Sequence, residues 1–224
     1  MIKAVIFDLD GTLLDRDTSV QRFATAQYER LNPIFRHIPE TDYCNRFIEL
    51  DGRGYVWKDI VYQQLITEFT IDEAWGNLLN DYLLHFKESC VPFPHLIETL
   101  DSLKRRKISL GMITNGRSRF QMDNIISLGI DSYFNEILIS ESEGVKKPNL
   151  EIFYRALNRL GAAASETLYV GDHPKNDIEA AQKAGLKAVW KKDQQWDCKG
   201  ADYVIEDLLE VDNIIKGVHR RTPN

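Results

Sequence analysis

Residues 3–12 are Lys3-Ala4-Val5-Ile6-Phe7-Asp8-Leu9-Asp10-Gly11-Thr12, an apolar run followed at once by two carboxylates one residue apart. The apolar run predicts a buried strand, with Asp8 and Asp10 at its carboxyl end. Buried carboxylates repel each other and lose hydration, so a positive group must hold them together. A divalent cation that prefers oxygen ligands, such as Mg²⁺, meets this need. The alternative is a surface turn stabilised by the two aspartates.

Composition limits the function. The 224 residues are 43% hydrophobic, which is enough for one large domain or two unequal ones. A net charge of −6 and a pI near 5.4 argue against a nucleic-acid partner, which favours a basic face. No apolar stretch is long enough to span a bilayer, and the N-terminal residues lack a signal-peptide pattern. Three widely separated cysteines fit a reducing cytoplasm, where we expect the protein to be located: Cys44, Cys90 and Cys198.

Two kinds of pattern divide the chain. Between Thr18 and Lys87 apolar residues recur at helical spacing, which predicts the helices Ser19–Arg36, Glu40–Leu50, Tyr55–Phe69 and Ile71–Phe86. From Pro92 helices alternate with strands, the strands being Ser109–Ile113, Glu136–Ser140, Thr167–Val170, Ala188–Trp190 and Tyr203–Ile205. The helices among them are Pro94–Lys107, Ser118–Leu128, Leu150–Leu160 and Ile178–Ala184.

This alternation predicts an α/β fold, a Rossmann-like parallel sheet covered by helices on both faces. An all-helical segment interrupts it after the first strand. We therefore expect a core formed by residues 1–15 and 92–216, a helical insert at 16–91, predicted to be a four-helix bundle, and a flexible tail at 217–224.

Later strands also end in polar residues. Thr114-Asn115-Gly116 precedes a helix, and such a turn either binds an anion or caps the helix. In Lys146-Lys147-Pro148 the proline restrains the backbone beside Lys147, so we favour Lys147 as the lysine that enters the crevice, with a solvated lysine pair as the alternative.

The strand Thr167–Val170 runs into Gly171-Asp172-His173-Pro174-Lys175-Asn176-Asp177, which adds two carboxylates at a strand end. Both could cap the next helix, although this explanation suits Asp177 better than Asp172, which directly follows the strand and its glycine. Ligands of open parallel sheets bind beyond the carboxyl ends of the strands, where all these groups are expected to meet.

Four motifs in this order, DLDGT, TNG, KKP and GDHPKND, resemble those of the haloacid dehalogenase-like (HAD) hydrolase superfamily. The resemblance extends over the whole α/β part, and the helical insert resembles the cap of C1-capped members. It implies that Asp8 is the nucleophile, which forms a phosphoaspartyl intermediate, and that Asp10 is the general acid and base. It further implies that Thr114 and Asn115 bind phosphoryl oxygens and that Lys147 neutralises charge.

The resemblance also implies a Mg²⁺ site formed by the carboxylates of Asp8 and Asp172 and the backbone carbonyl of Asp10, with Asp177 in support. An aspartate at position 10 is typical of phosphoryl chemistry, because the family's dehalogenases lack it. The expected function is thus phosphatase action on a small phosphorylated metabolite. The alternatives are a phosphomutase similar to β-phosphoglucomutase, a haloacid dehalogenase and a non-catalytic signalling or binding module.

In the insert, the loop Asp51–Lys58 is the best candidate for selecting the substrate. Its glycines allow movement, and Arg53 is a candidate anion contact. Tyr55 and Trp57 either stack on a substrate ring or pack inside the helical bundle. The protein is expected to be a monomer or a homodimer.

Overall fold

The computed structural model describes residues 1–217. They form two compact units, one made of Met1–Leu14 and the chain from Pro92 onward, the other of Asp15–Val91. The tail predicted at 217–224 lies, apart from its first residue, outside the described residues. Within residues 1–217, no helix has the length and apolar character needed to cross a membrane.

The first unit is built on a six-stranded sheet in which all neighbouring strands are parallel. The strands are β1 Ala4–Phe7, β2 Ser109–Thr114, β3 Glu136–Ile139, β4 Thr167–Gly171, β5 Lys187–Lys191 and β6 Tyr203–Ile205. Their spatial order is β3-β2-β1-β4-β5-β6. The α/β, Rossmann-like fold class predicted from the sequence is confirmed, since this is the order of doubly wound sheets.

Helices cover both faces of this sheet. All four residues of β1 are fully buried, and successive side chains of a strand point to opposite faces. The α-helices of the unit are Leu96–Arg105, Ser118–Ser127, Ser140–Glu143, Leu150–Leu160, Ala180–Lys183 and Glu210–Ile215. A π-helix, Pro174–Glu179, precedes Ala180–Lys183, where the sequence predicted a single α-helix from Ile178.

The direction in which successive strands are added to the sheet reverses beside β1, and this reversal determines where the site lies. Phe7 pairs with Met112 of β2 on one side and with Val170 of β4 on the other. The Asp8 amide continues the ladder by donating to the Val170 carbonyl at 2.9 Å. The segments that leave β1 and β4 therefore diverge at a topological switch point, where such sheets bind ligands.

The second unit is helical. Its α-helices are Arg16–Arg30, Asn32–Phe35, Glu40–Asp51, Lys58–Phe69 and Trp75–His85. Aromatic side chains dominate its interior, as in the pairs Phe23–Tyr82 and Tyr43–Phe35, whose ring centroids are 5.0 and 4.4 Å apart. The side-chain oxygen of the buried Gln27 accepts hydrogen bonds from the hydroxyls of Tyr43 and Tyr62.

Four predicted helix limits in this unit are wrong by three residues or more. The first helix begins at Arg16 instead of Ser19 and ends at Arg30 instead of Arg36, because Pro33 lacks an amide proton and lies in the first turn of a separate short helix. The third begins at Lys58 instead of Tyr55, after a turn that includes Gly52–Gly54. Thr70 adopts a left-handed conformation with φ 53°, which ends that helix. The next helix begins at Trp75 instead of Ile71.

The side chains of Tyr55 and Trp57 have exposed fractions of 65% and 56%. The alternative that these rings pack inside the bundle is therefore wrong.

Candidate active site

A buried lysine links the ends of β1 and β4. The Lys147 ammonium lies 2.6 Å from Asp8 Oδ1, 2.7 Å from Asp177 Oδ1 and 3.0 Å from the Tyr169 hydroxyl. The Tyr169 hydroxyl in turn donates to Asp177 Oδ1 at 2.9 Å. An ammonium has three N–H bonds, and here each has an acceptor. Lys147 is thus held in one orientation, whereas the neighbouring Lys146 is exposed.

Three buried carboxylates converge at the same place. Asp8, Asp172 and Asp177 each offer an oxygen within 4.8 Å of the others. Glycines allow this approach, because a Cβ on Gly11 would lie 2.6 Å from Asp172 Oδ2 and one on Gly171 would lie 2.5 Å from the Asp177 Cβ. No side chain larger than hydrogen fits at either position without displacing a carboxylate.

The site carries an excess of negative charge. Burial raises the pKa of Asp8 to about 7, although the Lys147 charge acts in the opposite direction. Burial, with the charges of Asp177 and Asp8, also raises the pKa of Asp172. Burial lowers the pKa of Lys147, but the two carboxylates it contacts outweigh this and raise it well above its usual value. One ammonium against three carboxylates leaves a deficit of positive charge that a divalent ion would fill.

Thr114 and Asn115 lie at the end of β2, as the motif predicted, and each has a defined partner. The Asn115 side chain makes a reciprocal pair with the Lys147 backbone, donating to its carbonyl at 3.1 Å and accepting from its amide at 2.9 Å. This pair fixes the loop that presents the lysine. The buried Thr114 hydroxyl accepts a hydrogen bond from the Gln121 side chain at 2.7 Å.

The Asp10 side chain also meets Gln121, whose amide nitrogen lies 2.7 Å from Asp10 Oδ2. The structure thus adds two residues to the predicted set, Tyr169 and Gln121. A tyrosine within an apolar strand carries no signal beyond packing. For Gln121 the available signal is its place in the first helical turns after Thr114, which fits either pocket lining or helix capping.

His173 lies beside the acidic cluster and caps the π-helix. Its Nδ1 accepts from the amides of Lys175 and Asn176, both at 3.1 Å. Its backbone amide donates to Asp177 Oδ2 at 3.0 Å. His173 therefore helps to orient the Asp177 carboxylate toward Lys147.

Arg53 belongs to the helical unit, where its guanidinium lies 3.2 Å from Asp17. A separate buried cluster lies nearby in the chain: Arg16 donates to both oxygens of Asp51, at 2.7 and 3.0 Å, and the Lys58 ammonium also contacts Asp51. Two cations thus contact the one carboxylate of Asp51.

Residues 5–191 match the family model described as haloacid dehalogenase-like hydrolase. A curated relative named glyceraldehyde 3-phosphate phosphatase, from Methanocaldococcus jannaschii, is 30% identical over 98% of this chain and 100% of its own. A relative of the same name from Methanothermobacter thermautotrophicus is 35% identical over 94% of each chain. The crystal structure of a HAD phosphatase from Thermococcus onnurineus is 27% identical, with a TM-score of 0.69 over 98% of this chain and 100% of that one. The predictions of family and of a phosphatase-type enzyme are confirmed, and the chain belongs to the haloacid dehalogenase-like hydrolases.

Proposed function

We propose that this chain is a Mg²⁺-dependent phosphatase that hydrolyses a small phosphorylated metabolite, a phosphomonoester, through a phosphoaspartyl intermediate on Asp8. The observation that carries the proposal is the buried group in which the Lys147 ammonium lies 2.6 Å from Asp8 and 2.7 Å from Asp177. Such a group holds a carboxylate nucleophile in place while keeping positive charge beside it. The phosphatase names of the relatives give independent support.

The donor set suits Mg²⁺. Asp8, Asp172 and Asp177 present oxygen atoms within 4.8 Å of one another, and hard divalent ions prefer oxygen ligands. We propose that Asp8, Asp172 and the backbone carbonyl of Asp10 hold the ion, with Asp177 in support. When bound, Mg²⁺ would neutralise the carboxylates and the charge on the phosphoryl oxygens.

Two displacements at phosphorus follow from this arrangement. Asp8 attacks the phosphorus atom, the bond to the ester oxygen breaks, and Asp10 gives a proton to the departing oxygen. A water molecule then gives a proton to Asp10 and attacks the same phosphorus atom. The bond to Asp8 breaks, which releases inorganic phosphate and restores both aspartates.

The remaining residues bind the phosphoryl group or position other side chains of the site. We propose that the Thr114 hydroxyl and Asn115 contact phosphoryl oxygens, and that Asn115 also positions Lys147 through its two bonds to that residue's backbone. Lys147 offsets the repulsion between an anionic nucleophile and an anionic phosphate.

We propose that the helical unit, residues 16–91, serves as a C1-type cap that selects the substrate. The loop after Asp51 carries exposed aromatic rings at Tyr55 and Trp57 and a cation at Arg53, which has a left-handed φ of 56°. Aromatic and cationic groups in one loop suit an anionic small molecule, and Arg53 is the proposed anion contact.

Phosphate release from a panel of phosphorylated metabolites, with Mg²⁺ and with EDTA, tests the proposal. The panel begins with glyceraldehyde 3-phosphate, which appears in the names of the relatives, and includes nucleoside monophosphates and sugar phosphates. We expect release that requires Mg²⁺ and that falls by about 10⁴-fold or more in Asp8→Asn. Wild-type activity in that variant would exclude Asp8 as the nucleophile, and activity undiminished in EDTA would exclude the metal.

A further inference from the structure

Gln121 donates a hydrogen bond to the proposed acid–base residue. The residue is 2% exposed, and its side-chain amide nitrogen donates to Asp10 Oδ2 and to the Thr114 hydroxyl, each at 2.7 Å. The Asn115 carbonyl accepts from the same nitrogen at 3.2 Å. One buried amide group thus joins the loop after β1 to the end of β2.

The orientation of this amide is determined by its surroundings. The Asn124 side chain donates to the Gln121 carbonyl at 3.4 Å, so the oxygen faces Asn124 and the nitrogen faces Asp10. If the amide were reversed, its oxygen would face the Asp10 carboxylate and the Asn115 carbonyl, two acceptors that would repel it. Gly116 provides the space, because a Cβ there would lie 2.8 Å from the Gln121 Cγ.

This contact distinguishes the two oxygens of the Asp10 carboxyl group. An amide N–H donates a hydrogen bond and does not accept one, so the Asp10 oxygen that faces Gln121 is favoured as a proton-free acceptor. The proton that Asp10 carries in its acid form then belongs on Oδ1. A carboxyl group that is free to rotate would expose either oxygen to the reacting ester.

We propose that Gln121 is a positioning residue that restricts proton transfer by Asp10 to Oδ1. The inference rests on the proposed phosphatase function and assigns Gln121 a role in one part of it, protonation of the leaving oxygen. Gln121 touches neither the phosphorus atom nor the nucleophile in this scheme. Its effect on the departing oxygen acts through Asp10, whereas its bond to the Thr114 hydroxyl concerns phosphoryl binding, which all phosphate esters share.

The test compares two esters that differ in their need for a proton. An alkoxide is a poor leaving group and must be protonated as it departs, whereas p-nitrophenolate is stable enough to leave without a proton. The parameter to measure is kcat/KM, because it ends at the first irreversible step, here leaving-group departure. The substrates are p-nitrophenyl phosphate and the best alkyl phosphate of the metabolite panel, and the variant is Gln121→Met, which keeps the side-chain length but removes the donor.

We expect Gln121→Met to lower kcat/KM about 10-fold or more further for the alkyl ester than for p-nitrophenyl phosphate, because any effect through Thr114 is common to both esters. Tyr169→Phe is the matched control, since it removes a buried hydroxyl that contacts Lys147 and not Asp10. That variant is expected to lose equal factors on both esters. If Gln121→Met does not fold, Gln121→Asn, whose amide is withdrawn from Asp10, is measured in its place with the same expectation.

Equal losses on the two esters in the Gln121 variant would overturn the inference, because a purely structural defect affects both reactions alike. That result leaves the proposed function intact, since the wild type still hydrolyses both. A wild type that hydrolyses neither ester would overturn the proposed function, and the inference with it.

Discussion

Two buried ion clusters in this chain differ in the charges that surround their carboxylates. In the α/β unit one cation, Lys147, lies among the carboxylates of Asp8, Asp172 and Asp177. In the helical unit one carboxylate, Asp51, contacts two cations, Arg16 and Lys58. Both clusters are formed by side chains that are at most 14% exposed.

The pKa values show what the difference means. Burial raises the pKa of Asp51, but the charges and hydrogen bonds of Arg16 and Lys58 outweigh it, and the pKa is lowered. At Asp8 burial prevails over Lys147, and the pKa rises to about 7. The helical cluster therefore completes the stabilisation of its own carboxylate, as a structural ion pair does. The α/β cluster leaves carboxylates that an added cation would stabilise, as a binding site does.

The largest expected effect comes from removing the single cation of the α/β cluster. Lys147→Ala is expected to lower kcat by about 10³-fold or more, because the nucleophile and the phosphate then repel each other without compensation. Lys146→Ala is the matched control, since its side chain is exposed and next in the chain, and it should keep nearly full activity. Steady-state phosphate release measures both. A greater loss in Lys146→Ala would reverse the assignment of the two lysines.

The second prediction exchanges a carboxylate for its amide in each cluster and measures stability by urea unfolding in EDTA. Asp51→Asn should lower the free energy of unfolding by about 3–5 kcal/mol, because the two buried cations that contact Asp51 lose its negative charge. Asp8→Asn should leave that free energy within about 1 kcal/mol of the wild type or raise it, because it removes a repelled charge. A loss in Asp8→Asn as large as that in Asp51→Asn would mean that the α/β cluster is also a self-sufficient ion pair.

The smallest expected effect, for any single step of one pH unit, is a difference in pH dependence, again in EDTA. A folded-state pKa near 7 for Asp8, against 3.8 for the ordinary carboxyl, means that the folded state holds the extra proton between these values. The Asp8 contribution to stability should therefore fall as pH rises from about 4 to about 7, by at most about 1.4 kcal/mol per pH unit.

The lowered pKa of Asp51 makes stability depend on pH in the opposite direction. Its contribution is present above the unfolded-state pKa and is lost as pH falls below about 4. Unfolding of the wild type, Asp8→Asn and Asp51→Asn across pH 3–8 separates the two contributions. Parallel curves for the wild type and Asp8→Asn would contradict the raised pKa of Asp8.

Much of the α/β unit could be predicted because its signals are local. The apolar run before Asp8 and the alternation of strands and helices are readable within a few residues, and the strand Tyr203–Ile205 was predicted with its observed limits. Helix limits in the helical unit were harder, because a left-handed residue such as Thr70 ends a helix without glycine or proline to mark it.

The proximity of Asp8, Asp172 and Asp177 could likewise be predicted, since each follows a strand of a parallel sheet. The contacts of Tyr169 and Gln121 could not. Tyr169 has the burial expected of any aromatic residue in a central strand, and its bond to Lys147 depends on a loop 22 positions away. Gln121 meets Asp10 across 111 positions, and since it lies within the helix Ser118–Ser127 and not at a strand end, the order of the strands does not predict this contact.

The central position of β1 has a consequence for synthesis on the ribosome. Its partner β4 begins at Thr167, 163 positions after Ala4, and β2 begins at Ser109. At about 5–20 residues per second, roughly 8–30 s separate the emergence of β1 from that of β4. The apolar strand that carries the nucleophile therefore waits longest for both of its neighbours. After β2 has emerged and until β4 follows, one edge of β1 stays unpaired, and an apolar strand with an open edge is the kind of segment that chaperones bind.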